Sequence, residues 1–72
     1  MDKYKNYLED NMILIRNKIE ELKLAHNIDE FTKGQLITYY DVITIFKEQA
    51  VVFDIELKEI GLDTFDENSI LF

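Results

Sequence analysis

A seam of apolar residues runs through the second half of the chain: Leu36, Tyr39, Ile43, Phe46, Ala50, Phe53, Leu57 and Ile60. Its steps alternate between three and four residues without a break, which keeps one stripe of an α-helix turned toward a partner helix. A strand would need alternation by two, so the seam sets the fold class: all-α. Proline is absent and the only glycines are Gly34 and Gly61, so few residues interrupt a helix.

A second, shorter seam lies upstream: Leu8, Met12, Ile15, Ile19, Leu22 and His26, spaced in the same way. Tyr4, Tyr7, Ile13, Leu14 and Leu24 widen it, and Arg16 with Glu20 is expected to form a same-face ion pair. The spacing predicts a helix over about 3–26, a loop over 27–32, a helix over about 33–60 and a tail over 61–72. Thr32-Lys33-Gly34-Gln35 matches a capping box, with Phe31 and Leu36 placed to staple it. Gly34 in that first turn suggests a close approach of the first helix. Gly61 is placed as a left-handed stop, with Leu62 packing back on Leu57. A short connection makes the two helices antiparallel neighbours in a hairpin. The tail mixes Asp63, Asp66 and Glu67 with Phe65, Ile70, Leu71 and Phe72, and is expected to fold back on the hairpin or to carry a short docking motif.

More apolar residues lie off the main seam than one partner helix covers. On an ideal wheel Ile37, Tyr40, Val51 and Ile55 form a second ridge, and Ile45 and Val52 lie beyond it. Leaving such side chains wet forfeits about 1.5–3 kcal/mol each. Pairing of two hairpins into a four-helix bundle covers them, so a homodimer is expected, with Ala50 letting backbones approach. The alternatives are a monomer whose tail covers the ridge and a subunit whose open face awaits another protein.

At 72 residues the chain makes one small domain, and a lone core of that size contributes only about 3–5 kcal/mol. There is no cysteine to add a disulfide or a thiolate metal site, which is compatible with a cytoplasmic location. No apolar run reaches the ~20 residues that span a bilayer, and no secretory leader is apparent, so no membrane association is expected. Residues 1–26 balance five acids with five bases, whereas residues 27–72 hold ten acids and only Lys33, Lys47 and Lys58. The whole net charge of −7 therefore lies in the second part, which disfavours direct binding to nucleic acid. An acidic half suits a basic partner, and serves solubility equally.

Chemistry-bearing residues are sparse. His26 is the single histidine; the residue three before it is Lys23, so the Glu-x-x-His pattern of di-iron bundles is missing, and a cationic histidine near a helix C-terminus is the simpler account. Glu9-Asp10 and Glu20-Glu21 are adjacent in sequence and diverge on a helix, so neither forms a carboxylate dyad. Asp54, Glu56, Glu59 and Asp63 lack the spacing and glycine of a calcium loop. Tyr39-Tyr40-Asp41 is accounted for by packing, and Ser69 has no histidine near it in sequence. No catalytic residue, cofactor or metal is expected, and the chain is not expected to be an enzyme.

The long run Leu36–Ile60, the ending Lys58-Glu59-Ile60-Gly61-Leu62-Asp63 and the acidic-apolar tail Asp66–Phe72 resemble small acidic helical-hairpin proteins of Gram-positive bacteria and their phages. That resemblance implies a helical hairpin and carries no functional residue with it. The expected function is a protein–protein interaction module. A small acidic inhibitor or decoy of a basic, nucleic-acid-binding protein is the alternative, as is an immunity- or antitoxin-like subunit.

Overall fold

The computed structural model describes residues 2–25 and 27–70, and there the protein is an antiparallel pair of helices with a C-terminal lap folded across them. Helix α1 spans Asp2–Lys23 and α2 spans Glu30–Val52, and no strand occurs among the described residues. His26, Leu71 and Phe72 lie outside the described residues, and with them the last position of the first seam and the end of the tail.

The two helices meet along residues spaced seven apart. Met12 and Ile19 of α1 and Leu36, Ile43 and Ala50 of α2 are buried, with Leu8, Ile15, Leu22, Tyr39 and Phe46 packed around them. Seven residues are close to two full turns, so these positions point straight at the partner helix while the intermediate seam residues flank the contact. The core contains no buried polar or charged side chain among the described residues.

Helix α2 begins three residues earlier than the capping box predicts. Asp29 is the N-cap: its carboxylate accepts from the Thr32 amide at 2.9 Å, and its carbonyl accepts from the Lys33 amide at 2.9 Å. Aspartate serves this role at least as well as threonine, and starting there adds hydrogen-bonded turn to the helix. Thr32 is thus inside the first turn. Phe31, expected to staple onto Leu36, stays 75% exposed. Gly34 faces solvent, with nothing near the place a Cβ would occupy, so it makes no close approach to α1.

The other end differs more. Helix α2 stops at Val52, not at Ile60. Asp54 adopts a left-handed backbone at φ 55°, while the Asp54 amide donates to Val51 O at 3.2 Å and the Ile55 amide to Ala50 O at 2.8 Å. This is the Schellman pattern, which normally uses glycine. The first turns of α1 already lie beside Ile55 and Ile60, around Asp2, Tyr4, Lys5 and Leu8. A helix continued to Ile60 would leave Leu57 and Ile60 without a helix opposite them. The chain reverses instead and lays those residues on α1.

The lap then has two 3₁₀ turns, Leu57–Ile60 and Glu67–Ile70. Glu56 opens the first with a capping box closed by Glu59, and Gly61 ends it at φ 73°. The Leu62 amide donates to Leu57 O at 3.0 Å, the same Schellman pattern with glycine in the left-handed place. Gly61 is thus a left-handed stop, but of this short turn and not of α2. Ile60, Leu62, Phe65 and Ile70 are buried. Two cations hold the lap down. Arg16 donates to Gly61 O at 2.9 Å and stands over the Phe65 ring at 5.0 Å, in place of the ion pair expected with Glu20. Lys47 donates to Phe65 O at 2.7 Å and to Glu67 Oε1 at 2.6 Å.

Candidate interaction surface

Arg16 on α1 and Lys47 on α2 mark the face of the hairpin that the lap covers. Turning around each helix at 100° per residue, away from those two positions, brings the opposite face into view. There α1 presents Tyr4, Tyr7, Leu14, Ile15 and Leu22, and α2 presents Tyr39, Val42, Phe46 and Phe53. Tyr4, Tyr7, Leu14 and Phe53 are each more than 60% exposed, while Ile15, Leu22, Tyr39 and Phe46 are half-buried. The polar residues of this face are the amides Asn11, Gln35 and Gln49, the Lys18–Glu21 ion pair beside Leu14 and Ile15, and Lys3, whose ammonium stands over the Tyr4 ring at 5.5 Å. The acids of α2, Glu30, Asp41 and Glu48, project from the flank on the lap's side. The open face is therefore apolar and nearly uncharged on a chain of net charge −7.

The seam residues fall into three settings. Leu36, Ile43, Ala50 and Ile60 are buried; Tyr39, Phe46 and Leu57 are half-buried; Phe53 is 69% exposed. The second ridge does not survive as a unit. Tyr40 packs against the core, Ile37 and Val51 stay exposed, and Ile55 lies beyond the end of α2. Ile45 and Val52 sit on the outer side of α2, exposed.

Sequence reasoning missed Arg16 and Lys47 as the anchors of the lap. No distinct signal marked them: Lys5 and Lys23 lie on the same border of the α1 stripe as Arg16, eleven and seven residues away, so sequence position did not single out the cation that meets the lap. The Glu67 carboxyl is held below its ordinary value of 4.5, first by its hydrogen bond from Lys47. The Asp29 carboxyl is lowered from 3.8, chiefly by the Thr32 amide.

Between α1 and the lap lies a groove of about 450 Å³, lined by Ile13, Arg16, Asn17, Glu20, Thr64, Phe65, Asp66 and Ser69. Its one cation is already committed to Gly61 O and Phe65, and the Ser69 hydroxyl donates to the Asp66 backbone carbonyl at 2.7 Å rather than to a carboxylate. Among the described residues no group of three or more histidines or acids could hold a metal ion, and no helix is long and apolar enough to cross a membrane.

No protein-family description, curated sequence or solved structure matches this chain.

Proposed function

We propose that the protein is an association module that pairs with a second copy through the open face, giving a four-helix bundle, and that the paired form acts by binding another protein. The carrying observation is the apolar, nearly uncharged character of that face on an otherwise acidic chain. Two copies of charge −7 repel wherever their acids meet, and the open face is where they can approach without that penalty. A basic partner would find few acids there.

Areas support the same reading. The accessible surface is 5439 Å², against about 4,700 Å² for a compact monomer of this mass. The molecule measures 41 × 21 × 17 Å, so its long side has a footprint of about 700 Å² or more, the order of the ~800 Å² that each partner of a stable complex buries.

Sedimentation over a wide concentration range tests this. The expected species is about 17 kDa, twice the 8.6 kDa of one chain, since two-fold pairing is the commonest arrangement. Phe46→Asp and Phe53→Asp should weaken the pairing while the chain stays helical. A parent chain that stays at 8.6 kDa when concentrated, or variants that pair as tightly as the parent, would overturn the proposal.

Segregation of the acids favours one further use. Pairing through the open faces leaves Asp41, Glu48, Asp63 and Asp66 outward, an exterior suited to occupying a basic nucleic-acid site on another protein. Such binding must weaken steeply with salt; affinity unchanged at ~0.5 M salt would exclude it.

A further inference from the structure

The break at Asp54 interrupts a helix that the sequence continues. Phe53, Leu57 and Ile60 keep the spacing of the upstream seam, and residues 53–60 contain neither proline nor glycine. Asp54 nonetheless holds a left-handed conformation that disfavours side chains with a Cβ, whereas the equivalent stop at the end of the first 3₁₀ turn uses Gly61. A local preference thus points one way and the lap's contacts pull the other.

Those contacts do not involve the hinge. Arg16 to Gly61 O, Arg16 over Phe65, and Lys47 to Phe65 O and Glu67 all join the hairpin to the lap beyond it. A lap supplied by a second chain satisfies each of them equally. A helix extended through Asp54 in a lone chain would strip the lap from its groove and expose Ile60, Leu62, Phe65 and Ile70. In a pair it need not.

We infer that Asp54 is the hinge of a lap exchange: α2 extends through residues 53–55, and the lap of each chain, from Glu56 onward, packs on the hairpin of a second copy. Exchange keeps the lap contacts from Glu56 onward, gives up the place of Ile55 beside α1, relieves both left-handed aspartates and restores helical hydrogen bonds across both hinges. Short hinges under strain are the usual site of such swaps. The surface involved is the covered face, so the inference goes beyond the open-face pairing and does not rest on it.

A pair of complementary charge variants reads the exchange directly. In Lys47→Glu the lap contact sets two carboxylates together, and in Glu67→Lys it sets two ammonium groups together. Each variant is expected to melt below the parent when refolded alone. Unfolded together and refolded at high concentration, they can exchange laps so that both contacts join opposite charges. The expected result is a one-to-one mixed dimer that melts several degrees above either variant by itself. Pairing through the open faces alone leaves each lap at home, and the mixture then melts as the sum of its components; that outcome overturns the inference.

Hinge variants test it without touching the contact. Asp54→Ala favours the extended helix and Asp54→Gly favours the left-handed stop. The association constants of the exchanged dimers should differ roughly thirtyfold or more, since the preference acts at two hinges per dimer. Equal constants for the two variants would also overturn it.

Discussion

The covered face and the open face of the hairpin come from the same two helices, yet only one is closed by the chain itself. On the covered side the lap brings backbone carbonyls to Arg16 and Lys47 and fills the groove with Leu62, Phe65 and Ile70. On the other side Phe46 and Tyr39 flank the same core with no segment over them. The difference teaches that a heptad seam specifies the contact between two helices and leaves its two flanks undecided.

Substitutions in the buried row break the comparison most severely. Ile43→Ala removes a fully buried side chain at the shared centre of both faces and should cost about 2–5 kcal/mol. A core of this size contributes only about 3–5 kcal/mol, so loss of cooperative unfolding in a denaturant titration is the expected outcome. Phe53→Ala, by contrast, should shift the unfolding of the isolated chain by no more than about 0.5 kcal/mol, because its ring is already mostly exposed. Equal effects at the two positions would mean that the open face is closed in the folded chain.

Two glycine exchanges sharpen the picture with gains. Gly34→Ala places a methyl in open space on a regular helix and should raise stability by about 0.5–1 kcal/mol, read as a higher urea midpoint. Asp54→Gly relieves the left-handed conformation and should stabilise the lap-closed chain by up to about 1 kcal/mol.

The smallest effect is that of acid. Glu67 and Asp29 both have carboxyls lowered in the folded state, so each contributes stability above its unfolded value that is lost as pH falls through the depressed one. Melting temperature should therefore be flat above about pH 4.5 and fall below it. Glu67→Gln should flatten the part of that fall that belongs to the lap, leaving the part from Asp29 at the start of α2. An unchanged acid profile in Glu67→Gln would show that the contact with Lys47 does not hold the covered face.

Much of the hairpin was legible because periodicity reports on helix pairing directly. Leu36, Ile43 and Ala50, together with Met12 and Ile19, belong to the two seams and are buried, although the seams did not rank them above Tyr39, Phe46 or Ile15. The ends were harder. At the start of α2 the capping box put Thr32 at the N-cap, and Asp29, three residues earlier, holds that place. At its end the seam ran on past the point where α1 has turns to cover it, so the pattern of Leu57 and Ile60 survived while the helix did not. Gly61 was recognisable as a left-handed stop, but sequence spacing could not tell which helix it stopped. The open face was legible only as an excess: too many apolar residues for one contact, with no means of assigning Phe46 outward and Tyr40 inward until the lap was placed.

The bond from Arg16 to Gly61 joins residues 45 apart in the chain, whereas the hairpin closes across a turn of a few residues. Loop closure over the longer span carries the larger entropic cost, and the lap reaches Lys47 over only 18 and 20 residues, so it is tied to α2 by shorter closures than to α1. Amides of the two short 3₁₀ turns should exchange with solvent before those at the centre of α1 and α2, whose hydrogen bonds lie inside long helices.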